Sequence, residues 1–193
     1  TGKRNTVLID VGANVECRAA HLVQFAIMGA TYHALNFGGD RPTVGLLANG
    51  TESTKGTDVL REAHRLLNQT DLNYLGYVES RTLPSGCADV VVTDGLVGNI
   101  VLKLCEGMVT TLLGRIRSVV RAHWLSAFVT PALKKPLSEL HRQLSWENIG
   151  GAPLLGLNQI AIVAHGSASP IAISNCIERA REYAQIELHH AID

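Results

Sequence analysis

The stretch VVTDGLVGNIVLK, residues 91–103, decides how this chain is read. Val91, Val92 and Thr93 are β-branched and suit a buried strand. Asp94, Gly95, Gly98 and Asn99 then make a polar turn with little side chain, and an apolar helical repeat follows at once. Strand, glycine turn and helix form the repeating step of a parallel sheet with helices packed on it. Two roles compete for the turn. Asp and Asn are favoured helix caps, so Asp94 and Asn99 can simply start the helix. Unpaired amides at a helix start also make a site for an anion, most often phosphate.

Working outward, the same step recurs. TVLIDVGA is a strand entering a glycine turn, and AAHLVQFAIMGATYHALN follows with helical spacing. RPTVGLLANG is a second strand and turn. GTDVLREAHRLLNQ is a helix with Val59, Leu60, Ala63, Leu66 and Leu67 on one face. LNYLGYVES and CADVVVTDG read as two more strands. A long helix is expected over about 99–130, and a second from near Pro131 or Pro136 to about 147. GGAPLLGL reads as a turn or short helix, IAIVAHGSAS as the last strand with its turn, and 169–190 as a closing helix. The expected fold is one α/β domain over 1–193, a Rossmann-like three-layer α/β/α architecture with a mainly parallel sheet. A helical hairpin protrudes at about 103–147. Continuous Val, Ile and Leu runs suit strands buried on both faces.

Composition narrows the function classes. The chain has 193 residues, 46% hydrophobic and 18% charged, which argues against disorder. Formal net charge is zero, so nothing in the overall balance draws it to nucleic acid. No apolar run reads as a spanning helix or a signal peptide. Cys17, Cys87, Cys105 and Cys176 lack CxxC pairs and His spacing, so they read as free thiols in a reducing cytoplasm, not as a zinc site. No cofactor or metal is called for.

In open parallel sheets, ligands bind beyond the carboxyl ends of the strands. Four polar turns are expected there: Asp10–Asn14, Asn49–Gly56, Asp94–Asn99 and His165–Ser169. Each offers glycine, through which backbone amides can approach a ligand closely. Lys55 adds a full positive charge beside Gly56. The candidate catalytic groups are Lys55, Asp94, Asn99 and His165. The candidate substrate-binding residues are Asp10, Gly12, Asn14, Glu52, Gly56, Gly95, Gly98, Gly150, Gly151, Gly166 and Ser167. For any one glycine, an unusual backbone angle is the plainer explanation, and His165 reads equally well as a satisfied structural histidine.

The stretch 103–142 has a second character. It holds seven Lys or Arg against two Glu, and Leu112, Leu113, Ile116, Val119, Val120, Trp124, Ala127 and Phe128 recur at helical spacing. A basic amphipathic hairpin fits a subunit interface, an acidic partner or an anionic membrane surface. Trp124, Leu125, Phe128 and Val129 at its tip are the membrane candidates.

Taken together, LIDVGANVECRAAHLVQFAIMG, GTESTKG, ADVVVTDGLVGNIVLKLCEG, IGGAPLLGL and AHGSAS resemble the PlsX family, the phosphate acyltransferases of bacterial phospholipid synthesis. The five motifs stand in the family's order and run over nearly all of the chain. The resemblance implies a fold akin to phosphate acetyltransferase and isocitrate dehydrogenase. It implies a cytoplasmic homodimer that associates peripherally with the membrane. It also implies transfer of a fatty acyl group from acyl carrier protein to inorganic phosphate, giving acyl phosphate. Family chains are usually longer, and the matched part is their C-terminal portion. Where the family commonly has Lys-Gly-Asn, this chain has Lys55-Gly56-Thr57. Where it commonly has an aromatic after Asp-Gly, this chain has Leu96. A non-catalytic or split half, serving as scaffold or carrier-protein-binding subunit, and an acyltransferase of another pathway are the rival readings.

Overall fold

The computed structural model describes residues 5–122, 135–136, 139–140, 150–186, 188 and 192. Trp124, Leu125, Phe128 and Val129, and most of the expected hairpin, lie outside the described residues. The chain forms two compact units, Thr1–Lys103 and Leu104–Ala191, with Ile192 assigned to the first and Asp193 to the second.

The first unit is built on a four-stranded, all-parallel sheet: β1 (Val7–Ile9), β2 (Thr43–Ala48), β3 (Asn73–Glu79) and β4 (Val90–Val92), in the order β1-β4-β2-β3. Between them run α1 (Ala19–Phe37), α2 (Asp58–Leu67) and a short 3-10 turn at Ser80–Ser85. β4 is central, and Val90, Val91 and Val92 are all 0% exposed. Alternation sends Val90 and Val92 to one face and Val91 to the other. Val90 and Val92 join Val44, Leu46, Leu22, Phe25 and Ala26 under α1 and α2. Val91 joins Leu47, Val78 and Ala88, with Leu83 of the 3-10 turn and Val101 of the next helix against them. Helices on both faces therefore give the expected three-layer α/β arrangement, and the β-branched strand runs are the cause. Each buried valine contributes roughly 1.5–3 kcal/mol.

Helix ends follow local chemistry. The Thr57 hydroxyl accepts the Leu60 amide at 3.3 Å and starts α2. On α2, Ala63 and Leu67 are buried, but Val59 is exposed and lies off the inward face. The long helix α3 spans Gly95–Ala122, four residues earlier than expected, so the glycine turn of the opening stretch lies inside its first turn. Over Gly95–Val120, α3 is long and apolar enough to cross a membrane by length and composition alone, contrary to the sequence expectation. At its amino end the apolar character serves packing: Val101 lies against the sheet.

The second unit corrects the reading of the C-terminal strands. GGAPLLGL is neither a turn nor a short helix throughout: Ala152–Pro153 is strand β5. It pairs antiparallel with β6 (Ile162–Val163) in a separate two-stranded sheet, so IAIV is not a strand of the parallel sheet. The apolar run alone does not reveal its neighbour, which is why periodicity misplaced it. The closing helix α4 (Pro170–Gln185) is capped by Ser169, whose hydroxyl accepts the Ala172 amide at 3.3 Å, with Pro170 beginning the helix.

Candidate functional site

Parallel register puts three of the four glycine turns at one end of one sheet. β1, β4 and β2 are neighbours, with Ile9 opposite Val92 and Val92 opposite Leu46. The turns after them, 10–14, 93–95 and 49–56, therefore leave the carboxyl end side by side. The fourth turn, 165–169, belongs to the second unit.

The β1 turn is organised around one carboxylate. Asp10 is 7% exposed. Its Oδ1 accepts the amides of Gly12 and Ala13, both at 2.8 Å. Its Oδ2 accepts the Asn14 amide at 2.7 Å and the Asn14 side-chain nitrogen at 2.9 Å. Burial pulls the Asp10 pKa up, but these donors outweigh it and hold the carboxyl below its ordinary value. Asp10 is thus an ionised pivot of the turn. The Gly12 and Asn14 amides, and the Asn14 side chain, are engaged inside it.

The opening stretch now has a physical explanation. A Cβ on Gly98 would lie 1.8 Å from the Asp10 carbonyl oxygen, and one on Gly95 would lie 2.7 Å from the Asn14 carbonyl oxygen. The Gly95 amide donates to that same Asn14 oxygen at 2.8 Å. Gly95 and Gly98, one helical turn apart, let the β1 turn lie directly on α3. Ladder bonds tie the elements further: Asp10 N–H donates to Thr93 O at 3.0 Å, and Thr93 N–H donates to Ile9 O at 2.7 Å. Asp94 caps the helix, its Oδ1 accepting the Val97 amide at 2.8 Å. Asn99 stands beside Gly12, its side chain about 3.8 Å from where a Gly12 Cβ would sit. Leu96, by contrast, points outward and is 51% exposed.

The β2 turn is built differently. Asn49 Oδ1 accepts the Gly56 amide at 3.1 Å, and the Lys55 amide donates to Glu52 O at 2.9 Å. Gly56 has a φ of 83°, a conformation that favours glycine. Buried Gly50 leaves room for the Lys55 stem, whose Cγ would be 3.0 Å from a Gly50 Cβ; Glu52 Oε2 would be 2.7 Å away. Among the described residues the Lys55 ammonium forms no ion pair, neither with Glu52 nor with Asp94. The suggestion that Asp94 orients Lys55 therefore has no direct contact behind it; Asp94 is spent on the cap.

In the second unit, His165 Nδ1 and the Ser167 hydroxyl are 2.8 Å apart, and the Ser167 amide donates to the same nitrogen at 3.2 Å. The imidazole thereby organises its own turn, with Gly166 in open space. Gly150 and Gly151 have φ of 81° and 77° and permit close packing. A Cβ on Gly150 would meet Asn175 O at 2.9 Å, and one on Gly151 would meet Ile162 at 2.7 Å and Cys176 Sγ at 3.0 Å.

Sequence reasoning read Cys17 only as a free thiol and gave it no place in the candidate site. Its Sγ lies 3.5 Å from Asn14 O. Burial pushes the thiol pKa up, the Gly95 amide opposes this, and the Asp94 and Asp10 carboxylates add to the rise. The signal available was its position three residues after Asn14, within the same turn. Arg18, next in sequence, lies with its guanidinium 3.0 Å from His21 Nε2 at the start of α1.

Known proteins resemble this chain closely. It is 42% identical over 179 residues to the "Phosphate acyltransferase" of Citrifermentans bemidjiense, covering 93% of this chain and 51% of that protein. It is 43% identical over 185 residues to the protein of that name from Geotalea uraniireducens, covering 96% and 54%. It is 43% identical over 181 residues to that of Geobacillus sp. (strain WCH70), covering 94% and 55%. The chain thus spans about half the length of the curated relatives it matches. The family described as "Fatty acid synthesis protein" matches residues 1–190, nearly the whole of the sequence, and the chain belongs to that family.

Proposed function

We propose that this chain carries the phosphate-handling part of an acyltransferase that moves a fatty acyl group from acyl carrier protein to inorganic phosphate. The observation that carries this is Lys55: a half-buried lysine whose stem passes Gly50 at the carboxyl end of a parallel sheet and whose ammonium has no ion pair among the described residues. That is where such folds place ligands, and a lysine is a good point charge for a phosphate oxygen. The names of the relatives support the same reaction class.

In this reading a phosphate oxygen attacks the thioester carbonyl carbon. The C–S bond then breaks and the thiolate departs to the carrier. A thiolate is a good leaving group, so the protein's main tasks are positioning and stabilising the oxyanion. Lys55 holds the phosphate and Asn99 donates to phosphate or carbonyl oxygen. Asp94 and Asp10 hold the walls, and Gly12, Asn14, Gly95 and Gly98 set their spacing. The raised Cys17 pKa speaks against a thiolate nucleophile at that position.

The reading extends to partners. A homodimer is supported by the exposed Leu104, Met108, Leu112, Ile116 and Val119, which recur along one side of α3. The excess of basic residues over 103–142 supports contact with an acidic carrier protein or an anionic membrane, Trp124, Leu125, Phe128 and Val129 serving the latter from the cytoplasm. The second reading, a split or scaffold half, rests on the chain spanning about half of its relatives.

One assay separates them. The chain is incubated with acyl carrier protein thioester and phosphate, and acyl phosphate is trapped as hydroxamate. The enzyme reading expects product, and Lys55→Ala lowering it at least about 100-fold. Product only after adding a second polypeptide selects the split enzyme. Unchanged product from Lys55→Ala removes Lys55 from the site.

A further inference from the structure

α2 carries two arginines one turn apart, and they spend their guanidinium groups differently. Arg65 turns Nε and Nη2 back onto Glu62, both at 2.8 Å, with both side chains exposed. Such a solvated pair adds little to stability. Arg61 pairs with Asp58 in the same i, i+3 sense, but its Nη1 leaves the helix and donates to the Gly56 carbonyl at 2.6 Å. That oxygen stands one residue before the helical ladder, which begins with the Arg61 amide donating to Thr57 O at 2.9 Å. The ladder therefore offers it no amide, and the guanidinium supplies the donor. The bond falls at the loosest joint of the β2 turn. Gly56, at a φ of 83°, has the backbone freedom of glycine, and Lys55 immediately precedes it. On one side of the joint Asn49 Oδ1 accepts the Gly56 amide; on the other, Arg61 holds the Gly56 carbonyl. Both peptide planes between Lys55 and the Thr57 cap are thus held. The Lys55 amide is itself tied to Glu52 O, and the Lys55 stem runs beside Gly50.

We propose that Arg61 is a positioning residue for the anion site: by holding the Gly56 carbonyl it locks the glycine joint that aims the Lys55 ammonium. Arg61 acts through Lys55 and does not touch the phosphate. The inference rests on the reading of Lys55 as the phosphate-holding group. A point charge serves an anion only where it is held within hydrogen-bond reach, so a loosened support costs affinity before it costs the fold. The bond to Gly56 comes from a charged donor and is roughly twice as strong as a neutral one. Asp58, 97% exposed, keeps the guanidinium turned toward the joint while adding little to stability. Ala63 and Leu67, which anchor α2 on the core, lie elsewhere on the helix. Removing the guanidinium therefore frees the joint and leaves α2 in place.

The test compares the chain with its Arg61→Met, Arg61→Lys and Lys55→Ala variants and with the Lys55→Ala, Arg61→Met double variant. Inorganic phosphate is titrated into each by calorimetry. NMR reads the Overhauser contact from Gly50 Hα to Lys55 Hγ and the exchange of the Gly56 amide. Arg61→Met is expected to dim the Gly50–Lys55 contact and to speed Gly56 exchange at least about tenfold. It should weaken phosphate binding about tenfold, with the urea midpoint unmoved. Arg61→Lys keeps one donor for the carbonyl and should restore most of both. In the Lys55→Ala background, Arg61→Met should cost nothing further, because a residue that acts through Lys55 has nothing left to position. Unchanged Gly56 exchange and an unchanged Gly50–Lys55 contact in Arg61→Met overturn the proposal. So does an additive loss in the double variant, which would put Arg61 on the phosphate itself, or a loss that follows the urea midpoint and is shared by Arg61→Lys. Lys55→Ala that binds phosphate like the unaltered chain overturns the Lys55 reading instead, and the NMR readouts, which need no phosphate, tell the two failures apart.

Discussion

The two glycine turns after β1 and β2 leave the same end of one sheet and use their glycines in different ways. After β1, glycine lets backbone lie on backbone. Gly95 and Gly98 admit the Asn14 and Asp10 carbonyls, and the polar groups around them are consumed internally by Asp10 and Asp94. After β2, glycine makes room for a side chain. Gly50 takes the Lys55 stem, and among the described residues the ammonium has no ion pair. One turn is consumed internally and the other presents a charge. Similar composition thus hides opposite roles, and only the spending of hydrogen bonds tells them apart.

Four substitutions would break or sharpen that contrast. The largest effect on stability is expected for Gly98→Ala. Its Cβ would collide with the Asp10 carbonyl, which is backbone and cannot swing away. A loss of about 3 kcal/mol or more in urea unfolding is expected; a loss below about 1 kcal/mol would mean that α3 and the β1 turn are not locked together.

Asp10→Asn comes next, at about 2 kcal/mol, because a charged acceptor of four hydrogen bonds is lost. The pH dependence has a definite sign. Asp10 has a lowered pKa when folded, so its contribution is present above its unfolded value and is lost as pH falls through the folded one. The gap between wild type and Asp10→Asn should therefore hold at neutral pH and close below about pH 4. A gap that widens in acid would mean that the carboxyl is not held ionised.

Thr57→Ala removes the α2 cap beside Gly56 and should cost about 1 kcal/mol. Lys55→Met keeps the stem against Gly50 and removes the charge. Its stability change should stay within about 0.5 kcal/mol, while acyl-phosphate formation falls at least about 100-fold. A Lys55→Met protein that unfolds like Asp10→Asn would place Lys55 among the groups consumed internally and erase the distinction between the turns.

The sequence alone carried the strand–turn–helix steps from β1 through α3, since Val, Ile and Leu runs and the α1 and α2 periodicities report directly on burial. It also carried the capping of α3 by Asp94, because Asp at a helix start has a local mechanism. It set the candidate site at the strand ends, because in a parallel sheet every carboxyl end faces the same way. Other features depend on partners far away in the chain. Gly98 is needed because Asp10 arrives from 88 positions earlier, and no local pattern contains that meeting. IAIV is equally apolar whether it lies in a parallel sheet or beside Ala152–Pro153, so tertiary pairing decided its place. The availability of Lys55 and the commitment of Asn14 were likewise decided in three dimensions. Residue type fixes what a group can donate or accept; only the packed fold determines which of those capacities is already used.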